Sequence, residues 1–357
     1  MRGILTLTVL TQRATSLNYG ETIGNVSILK KLSLGDNSQL TYVSDKAIKY
    51  DIKRKGKEEK GWRLLDEKIK EYIESSKKVK ISKQGEEHDV LDVDGFSKSL
   101  IEEYHEFDLF GGLFTNLKGK DGKKVVFYGD SVKRTAPVKT TYAFSVSKFQ
   151  GDMDFLNNID AFNRYIKHIE QKKVQGTAQS EQHTTDENEL QKKQAIAQSE
   201  QHTTHYYYTI AVDLDRIGVL ETENNTVEVI EPEERAKRVK DLLDIIRTLS
   251  RQIRGRYENL SPIFVIGGIY KIKNPFFMGC INAKETENGK LLLDLDRLLD
   301  CKSLIPEEKN TLCGVLSGFF ENEKDMKDKE KLNCKSVGEV FEELEKKVNE
   351  AYGLSQV

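Results

Sequence analysis

The sequence predicts an α+β fold, and three observations carry that prediction. Residues 206–219, YYYTIAVDLDRIGV, are rich in aromatic and β-branched residues and read as a central strand. Residues 4–12 alternate as a strand does, with Leu5, Leu7 and Val9 on one face and Ile4, Thr6, Thr8 and Leu10 on the other. Segments of helical periodicity lie between and after the strands, so the two element types are interleaved with long irregular stretches.

The elements follow in order. The opening MRGILTLTVLTQ has one early cation, but threonines interrupt its apolar run and no small-residue cleavage site follows, so it reads as the first strand rather than a leader. A loop rich in Gly and Asn, LNYGETIGN, leads to a helix over 43–54 that Ser44 can cap. Lys46, Lys49 and Lys53 fall at i, i+3 and i+7 and form a basic stripe on it. Residues 55–103 are polar and Lys-rich, an inserted subdomain. In FDLFGGLFTNL (107–117), aromatics cluster around Gly111 and Gly112, which predicts a tight backbone approach. Residues 125–128 and 141–149 read as strands flanking GDSVKRTAPV. Residues 171–204 are dominated by Gln, Ser, Thr, Glu and Lys, the composition of an exposed arm. That arm holds AQSEQHTT twice, at 178–185 and 197–204, as a local tandem duplication would. Pro232 opens a helix read through 254, with Ala236, Val239, Leu242, Leu243, Ile246, Leu249 and Ile253 on one face and Gly255 as terminator. Residues 262–270 return as a strand, and Val337, Val340, Phe341, Leu344 and Val348 mark a last amphipathic helix. Strand, helix, insertion, strand, helix, strand is the order of a ferredoxin-like, RNA-recognition-motif type sheet.

The 357 residues suffice for about two domains, or for one carrying a large insertion. With 37% hydrophobic and 32% charged residues, the composition excludes collagen-like, mucin-like and membrane-embedded chains, and no apolar run approaches the roughly 20 residues a span requires. Cys280, Cys301, Cys313 and Cys334 are too few and too widely spaced for a disulfide scaffold, so free thiols in a cytoplasmic protein are expected. The formal charge of -2 conceals an asymmetry: residues 46–83 hold 14 Lys/Arg against 7 Asp/Glu, and residues 321–350 hold 7 against 10. One region can therefore hold a polyanion while the whole stays soluble. His202 and His205 match a metal pair by type only, and Asp213 and Asp215 are expected to order a strand end or pair with Arg216. No phosphate-binding glycine motif and no nucleophile elbow is present.

Five pieces lie in one order across residues 1–270: the first strand with LNYGETIGNVSILKK, then YVSDKAIKY, DLFGG, KRTAPVKTTYAFSV and HYYYTIAVDLDRIGV. Together they resemble the backbone subunit of type I CRISPR Cascade complexes, the Cas-seven family, and within it the DevR-like branch of subtype I-B. The resemblance implies a right-hand shape with a ferredoxin-like palm (1–54 and 206–285), a fingers insertion with return to the palm (55–150), a thumb arm (151–205) and a C-terminal helical region (286–357). It also implies partners: CRISPR RNA, copies of the same chain stacked as a helical filament, other Cascade subunits, and the target DNA strand paired to the guide. No reaction, cofactor, metal or membrane is implied.

A protein that holds any spacer should contact phosphate and sugar rather than base edges. Lys30, Lys31, Lys46 and Lys49 suit that role, and Asn18 with its glycine-containing loop suits amide contacts. The family's Ser-x-Gln-Ala is here Ser44, Asp45, Lys46 and Ala47, so Lys46 replaces an amide with a charge. The apolar wedge beside the family's glycines falls at Leu113, a position a core residue would also fill. Arg134 of the KRTAP stretch joins the RNA-binding set, as does His202, which the resemblance puts nearest the thumb tip. A competing reading is a target-RNA endonuclease using Asp36 in LSLGDNSQ, as in type III backbone subunits, although GDN is also ordinary turn chemistry. No helix-turn-helix supports a duplex-reading regulator.

Overall fold

The structure, a computed structural model, describes residues 2–66, 69, 78–83, 86–115, 132–156, 164–165, 167–168, 197–222 and 225–354. The expected strand over 125–128 and the first AQSEQHTT copy lie outside the described residues. In chain order, β1 (Ile4–Thr15), β2 (Tyr19–Ile23), β3 (Val26–Leu29), β4 (Lys31–Ser33) and β5 (Gln39–Val43) precede helix α1 (Asp45–Lys60). The hairpin β6 (Lys78–Lys83) and β7 (Glu86–Leu91) leads to α2 (Val93–Glu103) and α3 (His105–Phe110). Seven short or long strands follow: β8 (Gly112–Phe114), β9 (Val132–Arg134), β10 (Val138–Thr140), β11 (Ala143–Ser145), β12 (Asp152–Leu156), β13 (Ala197–Gln201) and β14 (Thr203–Asp213). Then come β15 (Val219–Glu221), β16 (Thr226–Glu228), α4 (Pro232–Arg247), β17 (Ser250–Ile253), β18 (Arg256–Asn259) and β19 (Pro262–Tyr270). The last part holds β20 (Ala283–Glu285), β21 (Leu291–Leu293), α5 (Leu295–Ser303), β22 (Thr311–Val315), α6 (Glu323–Lys327), β23 (Lys335–Ser336) and α7 (Val337–Ala351).

The main sheet runs β23-β22-β19-β1-β14-β11-β5-β4, with β10 also paired to β14. β1 is central because both of its faces are apolar or satisfied. Leu5, Leu7 and Val9 join the core that α1, α4 and α7 cover, while Ile4 and Leu10 join a second core formed with Phe277, Leu298, Phe320 and Met326. Thr8 sits between them, bonded to Thr209 Oγ1 at 2.8 Å across the strands. Among the described residues no helix is long and apolar enough to cross a membrane.

Several expectations change. Helix α4 stops at Arg247, six residues after Asp241, and Leu249 and Ile253 belong to the following turn and β17. Their helical spacing is coincidental: Arg254 (φ 49°) and Gly255 (φ 75°) form a left-handed two-residue turn joining β17 to β18, the geometry that suits a tight hairpin. The C-terminal region is not merely helical, since β22 extends the main sheet beside β19 and α7 closes the first core. The basic helix α1 runs past 54 to Lys60. The segment 197–204 is not an exposed arm. β13 pairs antiparallel with β12 and parallel with β3, so a polar octapeptide is built into sheet structure. Its polarity is tolerated because each buried group is bonded: Glu200 accepts from Leu29 N–H at 2.7 Å, and Gln201 Oε1 accepts from Ser16 Oγ at 2.8 Å.

The cysteines are not free thiols. Cys280 pairs with Cys301 and Cys313 with Cys334, each across a separation of 21 residues. Close spacing in sequence was the wrong criterion, because Cys313 on β22 and Cys334 before β23 are brought together by the parallel pairing of those strands.

Candidate nucleic-acid interface

Helix α1 begins where the first sheet strands meet the Gly/Asn loop. Ser44 caps it by accepting from Ala47 N–H at 3.3 Å, and Asn18 Nδ2 donates to the same Ser44 oxygen at 3.3 Å. The Asn18 carbonyl in turn accepts from Lys30 N–H at 2.9 Å. These bonds tie the loop, with the backbone of Lys30, to the helix start that carries Lys46. Asn18 itself is buried, so its amide positions the helix cap instead of facing a ligand. Lys46 is exposed, Lys30 is half-buried, and neither has a side-chain partner among the described residues. Lys49 is engaged one turn along, by Asp45 at 3.3 Å, and Lys53 by Glu106 at 2.6 Å, so the expected stripe is partly neutralised.

Two expected site residues, Lys31 and His202, lie on the α1-covered side of β4 and β5, across from the face that Lys30 shares with Tyr42. Lys31 is ion-paired with Glu200 at 2.5 Å and sits over the Phe149 ring at 4.4 Å. His202 is buried, with Nδ1 bonded to Thr41 Oγ1 at 2.7 Å and Nε2 to Ser147 Oγ at 3.2 Å. Burial holds its pKa below the usual imidazole value. Strand alternation explains Lys31: Lys30 and Lys31 project to opposite faces, and only one of them reaches the open side. His202 stands between β13 and β14, buried against β5 and the segment after β11. His205 is likewise buried, its Nδ1 donating to Thr11 O at 2.9 Å, so the two histidines are structural.

Leu113 is 63% exposed, which overturns its reading as a core residue. Gly112 and Phe114 face inward on β8, Phe114 against Phe107 and Phe96, and alternation turns Leu113 out. Arg134 pairs with Gly112 across β8–β9, but its guanidinium is buried. It donates to Asp108 Oδ1 at 2.6 Å, to Asp108 O at 3.0 Å, to Val219 O at 2.6 Å and to Arg216 O at 2.8 Å. Arg134 therefore holds the fold and is removed from the RNA-facing set.

The motif DLFGG gains its physical meaning from Asp108. This fully buried carboxylate also accepts from Arg238 Nη1 at 2.9 Å and Gly218 N–H at 2.9 Å, joining α3, the β8–β9 hairpin, α4 and the turn after β14. Gly111, at φ 71°, packs where a Cβ would strike the Arg134 carbonyl. Reading by type missed Asp108 and Arg238; an acid flanked by aromatics, with two distant arginines on apolar segments, was the available signal.

Asp36 closes an ordinary turn. It accepts from Ser38 N–H at 3.1 Å and from Lys148 Nζ at 2.5 Å, and the Lys148 bond, then Ser38, hold its pKa well below the carboxylate range. Among the described residues no group of three or more His, Cys, Asp or Glu is placed to hold a metal ion. Asp213 and Asp215 pair with Lys273, at 2.7 and 2.9 Å, instead of with Arg216, which pairs with Glu221.

The fold is similar to a chain described as "CRISPR RNA-guided surveillance complex, pre-nicking", at TM-score 0.56 and 11% identity, covering 98% of this chain and 100% of that one. A second, described as "CRISPR RNA-guided surveillance complex", aligns at TM-score 0.44 and 12% identity over 87% of each chain. No curated protein sequence matches. Residues 6–286 match the family model described as "CRISPR-associated negative auto-regulator DevR/Csa2". Because that match spans well over half of the 357 residues, the chain belongs to the DevR/Csa2 family of CRISPR-associated proteins.

Proposed function

We propose that the protein is the guide-binding backbone subunit of a type I, subtype I-B, Cascade surveillance complex of the Cas-seven kind. Copies of it would line up as a helical filament along one CRISPR RNA and leave the bases free to pair with target DNA, in association with other Cascade subunits. In this reading the protein catalyses no reaction. The observation that carries it is two lysines without an acidic partner among the described residues, Lys46 on the first turn of α1 and Lys30 in the segment whose backbone is bonded to Asn18 at that helix start, in a member of this CRISPR-associated family. Both are cations without base-reading geometry, as sequence-independent retention of a guide requires. The exposed Leu113 on the paired strand β8 is an apolar group held in the open, suited to pressing on a base face and interrupting stacking. The fold similarity to a guided surveillance complex supports the same assignment.

The test is the salt dependence of single-stranded RNA binding. Lys30→Ala and Lys46→Ala should each lower the slope of log affinity against log salt by about 0.7, the contribution of one phosphate on a single strand. The loss should be equal on two guides of unrelated sequence. Lys31→Ala should leave the slope unchanged, because its charge is already satisfied by Glu200. An unaltered slope in the Lys30/Lys46 double substitution would remove the helix start from the site.

A further inference from the structure

The face of the main sheet turned away from α1, α4 and α7 is covered only in part. Phe277, Leu298, Phe320 and Met326 pack over β1, β19 and β22. Beyond them, toward β5, aromatic side chains form a ladder. Val43, Ala143, Tyr206 and Tyr208 all belong to the helix-covered core, so alternation turns Tyr42, Phe144 and Tyr207 to the other face. Ring centroids step from Tyr207 to Phe144 at 6.2 Å, from Phe144 to Tyr142 at 6.2 Å, and from Tyr142 to Tyr42 at 5.0 Å. The first two pairs are tilted, whereas Tyr42 and Tyr142 lie within 13° of parallel. Tyr142 has one ring face on Tyr42, yet it remains 45% exposed.

Cations border the ladder. Lys30 stands across from Tyr42, whose N–H donates to the Lys30 carbonyl at 3.0 Å, and it shares the Tyr42 face because the neighbouring Lys31 and Thr41 pair on the other. Lys139 pairs with Ala211 on β14 and shares the Tyr207 face. Neither lysine has an acidic partner among the described residues. Parallel rings ending in an open π-face, phenolic hydroxyls and uncompensated ammonium groups match an anionic polymer of flat bases, not an aliphatic protein surface.

We propose that this ladder is a base-stacking platform for single-stranded RNA, in which a nucleobase continues the Tyr42–Tyr142 stack and Lys30 and Lys139 hold the flanking phosphates. RNA-recognition sheets stack bases on central strands; here those strands are covered, and the platform is displaced to β5, β11 and the segment before β11. Stacking is tolerant of base identity, which a subunit serving arbitrary guides needs. The platform lies two residues from Ser44, so it adjoins the helix start. This inference rests on the guide-binding reading above and adds a contact to bases that phosphate binding does not include.

The test compares a uridine oligonucleotide with an abasic ribose-phosphate strand of equal length and charge, binding to wild type, Tyr142→Ala and Tyr142→Phe at one salt concentration. Tyr142→Ala should weaken binding of the uridine strand about fivefold to a hundredfold, the range for one stacked base, and leave the abasic strand unchanged. Tyr142→Phe should bind as wild type does. Uridine binding unaltered in Tyr142→Ala would overturn the platform while leaving the phosphate site standing, provided Lys46→Ala still lowers affinity. An equal loss on both strands would assign the ring to folding or to contact with a neighbouring copy and would also overturn it. If wild type bound neither strand, the guide-binding reading itself would fail.

Discussion

Replacing Asp108 should be the most damaging single change outside the apolar core. Its carboxylate accepts three bonds, from Arg134 at 2.6 Å, Arg238 at 2.9 Å and Gly218 N–H at 2.9 Å, with no solvent to substitute for any of them. Removing the anion leaves the buried Arg134 guanidinium without a carboxylate and Arg238 with Glu234 alone, at 3.2 Å, and breaking such a buried pair from one side costs about 3–5 kcal/mol. The backbone carbonyls of Val219, Arg216, Ile101 and Glu102 still accept from these arginines, which keeps the loss from reaching the sum of three charged bonds. Asp108→Ala should therefore shift the folding equilibrium by about two to four decades. Asp108→Asn, which keeps acceptor shape without charge, should lose less. Denaturant unfolding followed by far-UV circular dichroism measures both. If Asp108→Ala lies within about 0.5 kcal/mol of wild type, the ordinary range for a surface change, the hub does not hold these elements together.

Other expectations follow from the same geometry. Titrating thiols in denaturant without reductant should find none free, and replacing both cysteines of either pair with serine should destabilise by about 3 kcal/mol, the loop-closure value for a cross-link of this span. Deleting residues 178–196 leaves one AQSEQHTT leading into HYYY, so the unfolding midpoint should hardly move, since halving the length of a chain connection changes closure by about 0.6 kcal/mol. Glu200→Gln should lower stability, while the corresponding change at Glu181 in the first copy should not; melting curves of the two distinguish the copy that forms β13. Burial, aided by Arg238, pushes the pKa of His105 down to about 4, so the unfolded chain takes up a proton below pH of about 6.5 that the folded chain refuses. Stability from this group is therefore complete above that pH and falls as pH drops toward 4. His105→Phe, which keeps an aromatic ring on Trp62, should flatten the wild-type slope in that window.

The legible parts of the fold were those governed by periodicity. Leu5, Leu7 and Val9 separated cleanly from Ile4 and Leu10, Ser44 marked its helix start, and 262–270 coincides with β19. What failed were inferences from residue type. Arg134 and His202 are polar, a type that suggests contact with RNA, but pairing with Asp108 and bonds to Thr41 and Ser147 allow both to be buried. Lys31 and Lys30 are indistinguishable as letters, and only strand direction shows which one is open. The strand β13 was hidden because its stabilising groups are hydroxyls, amides and one carboxylate whose partners lie far away in sequence. The Tyr42, Tyr142, Phe144 and Tyr207 ladder had no local signature, since it needs the pairing of three separate strands to exist.

On the proposed function, many copies of this chain hold one guide without reading it. Mass measurement of complexes assembled on guide RNAs of two lengths and two unrelated sequences tests this directly. The number of copies per RNA should rise in proportion to length and be the same for both sequences, as a contact that propagates head to tail requires. A fixed number of copies on every guide, or a dependence on guide sequence, would contradict it.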